Sequence, residues 1–194
     1  MSSSEPLDIK NYIGLTGDTP IRFIASDVDG TLVNDAKSVD PEVVAAVRAA
    51  RESGIRVAIA SGRAWHEMDD VIEAMPCLRY FVCTNGAYVM DKEEQKELVH
   101  ISFDKTRAVD LVRKLMTYGV FVEAYVKAEI FGQYPVVGNE TSQAEHFFRP
   151  NIRPFILKTR TMVLDLLAHL ESLSEGPEKI QIFYGDERIR DRIL

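Results

Sequence analysis

Two short apolar runs, each ending in residues typical of ligand-binding turns, constrain the fold of this chain most strongly. Residues 21–26 (IRFIAS) lead into the acidic turn DVDGT, and residues 55–60 (IRVAIA) lead into Ser61 and Gly62. Such runs favour buried strands of a parallel sheet. Between them, Asp40 is the expected N-cap of a helix with a valine-rich face, which Gly54 ends. The pattern predicts an α/β fold built from right-handed strand–helix units.

A third strand extends this pattern and places three polar strand ends side by side. A helix is expected over residues 64–75 and a strand over residues 80–83 (YFVC). Asp27, Ser61 and Thr84 then follow the three strands in turn. Ligands of open parallel sheets bind beyond the carboxyl ends of the strands, so we expect a site there.

The remainder of the chain changes character and predicts a separate small α+β domain. We expect a hairpin with strands at 87–90 and 98–102, a helix over 104–118 closed by Gly119, and a second helix over 161–173. Further strands are expected at 120–126, 131–134 and 179–184. The predicted organisation is a loose extension over 1–20, a core over 21–86 and the small domain over 87–194.

Composition excludes several classes of partner. The formal charge of −7 provides no basic field for nucleic acid or an anionic membrane. Cys77 and Cys83 lack the spacing of a zinc site, which favours a reduced, cytoplasmic setting. The first 20 residues do not resemble a signal peptide, and no apolar stretch approaches the roughly 20 residues of a membrane span. The oligomeric state stays open.

The turn DVDGT carries the residues with the clearest chemical potential. Asp27 could attack phosphorus as a nucleophile and share its other oxygen with a metal ion, while Asp29 exchanges protons with the leaving group and with water. Gly30 would let backbone N–H groups approach a phosphate, and the Ser61 hydroxyl could donate to a phosphate oxygen. The alternative is an ordinary Asp-Gly turn, which the position after an apolar strand disfavours.

At these residues the chain resembles a known family. DVDGTL at 27–32 is similar to motif I of the haloacid dehalogenase superfamily of phosphatases, and SGR at 61–63 is similar to its motif II. TNGA at 84–87, followed by an α+β segment, resembles the Cof-type branch, which inserts its cap domain after motif II. The resemblance implies a Rossmann-like parallel-sheet core with an inserted α+β cap.

The resemblance also implies a reaction, a metal ion and a set of site residues. The expected reaction is Mg²⁺-dependent hydrolysis of small phosphorylated metabolites, such as sugar phosphates or nucleotides, through an aspartyl phosphate. It makes Asp27 the nucleophile and a Mg²⁺ ligand, and Asp29 the general acid/base and a ligand through its backbone carbonyl. The expected phosphate- or substrate-binding residues are Gly30, Thr31, Ser61, Gly62, Arg63 and Asn85, although Arg63 could be a structural residue and Asn85 with Gly86 a simple turn.

The sequence departs from the family pattern after the cap. The motif III lysine and the acidic motif IV are not found, because GDERIR at 185–190 places Arg190 where the final acid should be. The chain is therefore expected to stop near the end of the cap and to leave its first strand as an exposed edge. Turnover by this chain is therefore expected to be weak unless Lys158, Lys179 or Asp186 fills the missing roles. Two alternatives remain: a non-catalytic binding or regulatory protein, and a truncated form of a normal phosphatase.

Overall fold

The computed structural model describes residues 20–34, 38–127, 129–133, 150–151, 153–185 and 187–194. Its first sheet has five strands in the order β1-β2-β3-β4-β5. Strands β1 to β3 pair in parallel, and β4 and β5 continue the sheet as an antiparallel hairpin. Their bounds are β1 Phe23–Ser26, β2 Arg56–Ala60, β3 Tyr80–Cys83, β4 Tyr88–Asp91 and β5 Lys96–His100. The predicted α/β sheet is confirmed.

Helices cover the first sheet much as predicted, with two differences. Helix α1 spans Pro41–Glu52, and Asp40 occupies its N-cap position without forming a side-chain cap. The Asp40 carboxylate instead accepts a hydrogen bond from Asn34 Nδ2 at 2.9 Å. The single helix expected over 64–75 is divided into a 3₁₀ turn, Trp65–Glu67, and helix α2, Asp69–Ala74, with the break at Met68. Their buried faces form one core with the sheet, including Ile59, Met68, Leu78 and Phe81.

A second, four-stranded sheet has the order β8-β7-β6-β9. Its strands are β6 Phe121–Val126, β7 Glu129–Gln133, β8 Thr161–Val163 and β9 Lys179–Phe183. Within the described residues, four helices accompany it: α3 Lys105–Met116, α4 Arg153–Thr159, α5 Leu166–Ser172 and α6 Glu187–Ile193. Its core is separate from the first and includes Val112, Val122, Ala124 and Leu166. We call this unit the cap.

Two expectations for the second half are corrected. The helix predicted over 161–173 begins only at Leu166, because residues 161–163 pair in parallel with β7 and Asp165 caps the helix by accepting from Ala168 N at 3.0 Å. The hairpin expected at the start of the cap pairs with β3 and lies in the first sheet. We therefore infer that the boundary between the two units lies near residues 101–104 rather than after residue 86. Tyr134 and Asp186 lie outside the described residues.

Strand β1 forms one edge of the first sheet, as expected for this chain. It pairs only with β2 among the described strands, and Phe23 and Ile24 are 53% and 37% exposed. The expectation that 21–26 is a buried strand is therefore wrong for the side chains, although the strand and its parallel pairing are present. No helix in the described part of the chain is long and apolar enough to cross a membrane.

Candidate active site

The turn that follows β1 is fixed by one buried residue. Val28 is fully buried, and its carbonyl oxygen accepts from the backbone N–H groups of Thr31, Leu32 and Val33 at 3.0–3.2 Å. Gly30 has a φ of +78°, a conformation that favours glycine. Because Val28 points into the core, Asp27 and Asp29 on either side of it are exposed. The turn thus presents both carboxylates from a rigid backbone.

Ser61 lies at the end of β2 in a loop held by the neighbouring strand. Its backbone N–H donates to Val82 O at 2.9 Å, and its carbonyl accepts from Asn85 N at 3.1 Å. The Ser61 side-chain oxygen accepts from Arg63 N at 3.2 Å. Because the hydroxyl acts there as an acceptor, its proton remains available for donation to a ligand oxygen.

Arg63 connects this loop to the acidic turn. Its Nε and Nη2 atoms donate to the two carboxylate oxygens of Asp29 at 2.9 and 2.8 Å. Its Nη1 atom donates to Asp70 at 3.2 Å and to the carbonyl of Glu67 at 3.1 Å. Burial is the largest single influence and lowers the pKa of Arg63, but hydrogen bonds and the charges of Asp29 and Asp70 together raise it above its ordinary value. This two-pronged ion pair fixes the Asp29 side chain.

The third strand end differs from the expectation. Thr84 is 2% exposed, so it does not present its side chain at the surface as Asp27 does. Thr84 and Asn85 both adopt left-handed backbone conformations, with φ of 52° and 57°. Asn85 is exposed, and its Oδ1 atom lies where a side chain at position 62 would begin, 2.6 Å from an ideal Cβ. Gly62 therefore lets the Asn85 side chain pack closely against the loop, and a larger residue at position 62 would require that exposed side chain to move.

The predicted site residues form two connected groups. Hydrogen bonds and packing join Asp29, Ser61, Gly62, Arg63 and Asn85 through the loop that follows β2. Asp27, Gly30 and Thr31 belong to the adjoining turn after β1. Strands β1 and β2 pair in parallel, with Ser26 opposite Ile59. The two turns therefore follow the strands at the same, carboxyl-terminal end of the sheet.

Sequence reasoning missed several residues that hold this site. Asp70 and Glu67 bind Arg63 from the segment after the loop, and no motif distinguished them from surface acids. Lys179, at the start of β9, donates from Nζ to the carbonyl of Gly62 at 3.1 Å. Lys179 was named from the sequence only as one of three candidates for the missing roles, and its position at a strand start did not predict its contact with the loop after β2.

A cavity of about 440 Å³ lies between the core and the cap. The described residues that line it include Glu67 and Asp70, which contact Arg63, but not Arg63 itself, Asp27 or Ser61. The core contributes residues around α2, including Asp70, and the cap contributes residues from β7, α4 and β8, including Phe155 and Lys158. The guanidinium of Arg63 lies 5.8 Å from the centre of the Phe155 ring. The walls therefore combine charged groups of both signs with one aromatic face.

The oxygen atoms at the acidic turn are the type of ligand that Mg²⁺ prefers. Asp27 and Asp29 provide exposed oxygen atoms, which this cation prefers. Within the described ranges, no group of three or more His, Cys, Asp or Glu side chains is arranged around a metal position. Mg²⁺ commonly keeps several waters and shares phosphate oxygens, so a site with few protein ligands fits it better than it fits a cation that needs a complete protein cage.

Comparisons with known proteins agree with this architecture. Residues 24–188 match the family model described as haloacid dehalogenase-like hydrolase. The phosphatase YwpJ of Bacillus subtilis is 31% identical over 111 residues, which cover 57% of this chain and 39% of YwpJ. The chain thus spans less than two thirds of the curated relatives that it matches first.

Solved structures show the same fold. A haloacid dehalogenase-like hydrolase from Bacteroides thetaiotaomicron superposes with a TM-score of 0.70 at 18% identity, covering 90% of this chain and 62% of that one. The subclass IIB sugar phosphatase BT4131 gives a TM-score of 0.68 at 16% identity, covering 89% and 62%. The family match extends over most of the chain and includes both acidic-turn aspartates and the Ser61 loop. The chain belongs to the haloacid dehalogenase-like hydrolases.

Proposed function

We propose that this chain provides the nucleophile half of a Mg²⁺-dependent phosphatase that hydrolyses small phosphorylated metabolites. The observation that carries the proposal is the pair of exposed carboxylates on the turn fixed by Val28, with Ser61 and Arg63 on the adjoining loop. Membership of the hydrolase family supports it.

In the proposed reaction, a carboxylate oxygen of Asp27 attacks the phosphorus atom of the substrate and forms an aspartyl phosphate. The bond from phosphorus to the leaving oxygen breaks, and that oxygen takes a proton from Asp29. Water then attacks the phosphoryl group and loses a proton to Asp29, which releases inorganic phosphate and regenerates Asp27. In the structure both Asp29 carboxylate oxygens accept from Arg63, so Asp29 can carry the proton that it donates only after Arg63 releases one of them.

The remaining residues bind and neutralise charge. The Ser61 hydroxyl donates to a phosphate oxygen, and the backbone N–H of Gly30, next to Thr31 in the adjoining turn, donates to the same phosphate. Mg²⁺, held by Asp27 and the Asp29 backbone carbonyl, would neutralise charge on the phosphate. Asn85 packs on Gly62, and in this proposal its side chain contacts the substrate.

The cavity between the core and the cap supports a small polar substrate. Its volume of about 440 Å³ lies within the range of metabolite pockets. Its lining of charged groups with the Phe155 ring suits a hydroxylated organic group, which is the chemistry of a sugar phosphate or nucleotide. BT4131, which shares the fold, is itself described as a sugar phosphatase.

The test is hydrolysis of an aryl phosphate and of a sugar phosphate panel with Mg²⁺. We expect Asp27→Asn to lower kcat by at least ~10³-fold, Asp29→Asn to lower it by about 10²- to 10⁴-fold, and chelation of Mg²⁺ to abolish turnover. Asp110→Asn, which changes an exposed aspartate on α3, is the matched control and should leave kcat unchanged. Turnover that survives Asp27→Asn would refute the mechanism, and turnover absent from every variant would favour a binding role.

A further inference from the structure

Three buried charged side chains and one half-buried lysine from distant positions come together where the cap meets the core. Glu67 belongs to the core, whereas Glu123, Arg160 and Lys179 belong to the cap. The exposed fractions of the Arg160, Glu67 and Glu123 side chains are 2%, 5% and 0%. The set contains two carboxylates and two cations, so its charges balance. We call it the buried ion cluster.

Arg160 joins the two carboxylates across the boundary. Its Nη1 atom donates to Glu67 Oε1 at 2.5 Å, and its Nε atom donates to Glu123 Oε1 at 2.9 Å. Burial is the largest influence on Glu123 and raises its pKa, while the hydrogen bond and charge of Arg160 oppose that rise. Each carboxylate therefore depends on Arg160 for its compensating charge.

Glu67 transmits this contact to the loop that carries Ser61 and Arg63. Its second carboxylate oxygen accepts from Ala64 N at 2.8 Å, and its backbone carbonyl accepts from Arg63 Nη1 at 3.1 Å. Arg63 in turn holds both carboxylate oxygens of Asp29. A continuous chain of hydrogen bonds thus runs from the cap sheet through Glu67 and Arg63 to Asp29.

Lys179 contacts the same loop at a second point. Its Nζ atom donates to Gly62 O at 3.1 Å and lies 4.3 Å from the centre of the Tyr125 ring in the cap sheet. Burial is the largest influence and lowers the pKa of Lys179, while the charges of Glu67 and Glu123 oppose that change. The cap therefore touches both ends of the segment from Gly62 to Glu67.

We propose that Arg160 and Lys179 are positioning residues that hold the Ser61–Glu67 loop from the cap and so set the placement of Ser61 and Arg63 relative to Asp29. The role in catalysis rests on the proposed phosphatase function, whereas the control of the loop by the cap does not. In the absence of these two contacts, the loop keeps its hydrogen bonds to β3 and the Thr84 segment but loses its link to the cap sheet.

Glu67→Gln is the most specific variant for testing this link. Glutamine is nearly the same size but has one acceptor oxygen, so it cannot serve both Arg160 Nη1 and Ala64 N–H. The pair between Arg160 and Glu123 inside the cap stays intact. Lys179→Met is the second variant, because water can solvate the Gly62 carbonyl that it leaves. Glu171→Gln, in an exposed pair with Arg113, is the matched control.

The first measurement is amide hydrogen exchange in the full chain, with thermal unfolding recorded for each variant. We expect Glu67→Gln and Lys179→Met to raise exchange at residues 61–67 by about 10-fold or more, with β6 and β9 unchanged. The control should match the unmodified chain. Unchanged exchange at residues 61–67 in both variants would overturn the proposal, and if Glu67→Gln does not fold, Lys179→Met alone decides it.

The second measurement is binding of inorganic phosphate with Mg²⁺ by calorimetry, together with kcat and KM for an aryl phosphate. Displacement of Ser61 and Arg63 should weaken phosphate binding by about 10-fold and lower kcat in both variants. Faster loop exchange with unaltered phosphate binding would overturn the positioning role. If the variants show faster loop exchange but hydrolysis does not depend on Asp27, the result would support control of the loop by the cap. It would refute the proposed phosphatase function instead.

Discussion

At the scale of single residues, we expect stability to fall most when a buried charge loses an ion-pair partner that few other groups can replace. Arg160 is 2% exposed and forms ion pairs with both Glu67 and Glu123. Removing one partner of a buried ion pair leaves the other charge uncompensated in a poorly solvated position. Exposed pairs differ, because water and salt already screen their attraction.

We therefore predict that Arg160→Met lowers the free energy of unfolding by about 3–5 kcal/mol. Arg113→Met is the control, because Arg113 is 51% exposed and pairs with the exposed Asp110 and Glu171. The control should change stability by less than about 1 kcal/mol. Urea denaturation measures both variants, and equal losses would contradict the assignment of Arg160 to a buried cluster.

A second ion pair predicts a pH dependence of stability. Hydrogen bonds from Arg79, at 2.7–3.0 Å, are the largest influence on Asp91 and lower its pKa, with burial opposing them. Because the folded-state pKa is depressed, the pair stabilises the protein above the ordinary carboxyl pKa of about 4, and this stability is lost as pH falls through the folded value.

The expected result is a stability gap between the unmodified chain and Asp91→Asn that is constant from pH 7 to about pH 5 and shrinks below about pH 4. Thermal denaturation across this pH range measures the gap. Asp110→Asn serves as a control that should show no such gap. A gap that widens as the pH falls would mean that the sign of the shift is wrong.

At the scale of elements, β1 and β3 show how the position of a strand in a sheet decides how much its side chains contribute to stability. Phe81 on β3 is fully buried and meets the Trp65 ring edge-on, with centroids 5.2 Å apart. Phe23 on β1 is 53% exposed, because β1 is an edge strand among the described elements. The same residue type therefore contributes very differently in two strands of one sheet.

Phe81→Ala should lower the free energy of unfolding by about 3–5 kcal/mol, through lost burial and the cavity that remains. Phe23→Ala should cost less than about 1 kcal/mol, because its ring already contacts water. Chemical denaturation of the two variants provides the comparison. Similar losses at both positions would show that β1 is covered in solution.

The strands of the first sheet were predictable because their apolar runs end abruptly in turn residues. Residues 80–83 were predicted without error, and β2 to within one residue. The break in the helix at Met68 was missed, because residues 64–75 keep a continuous apolar face across it. The strand at 161–163 was missed for a different reason: it depends on pairing with β7, which is a tertiary contact.

The residues of the candidate site likewise divide into those that the sequence predicted and those that depend on tertiary contacts. Asp27, Asp29, Ser61 and Arg63 were found because their motifs are contiguous in sequence. The buried ion cluster could not be found, because its members lie at positions 67, 123, 160 and 179 and are charged residues with no local signal of burial. Its existence depends on how the cap is placed against the core.

At the scale of the whole molecule, two sheets with separate cores meet at the loop that follows β2. The core fixes the acidic turn through Val28, and the cap reaches the adjoining loop through Arg160 and Lys179. We propose that residues of the core carry out the reaction, while the cap sets the position of the Ser61–Glu67 loop relative to the acidic turn.

The proposed mechanism requires Asp27 to act as the nucleophile, and trapping the covalent intermediate shows whether it does. The chain is mixed with an aryl phosphate and Mg²⁺, quenched rapidly in acid, digested and analysed by mass spectrometry. We predict one added phosphoryl group on the peptide that contains Asp27, absent in Asp27→Asn and retained in Asp110→Asn. Product formation with no adduct at Asp27, or an adduct that persists in Asp27→Asn, would show that Asp27 is not the nucleophile.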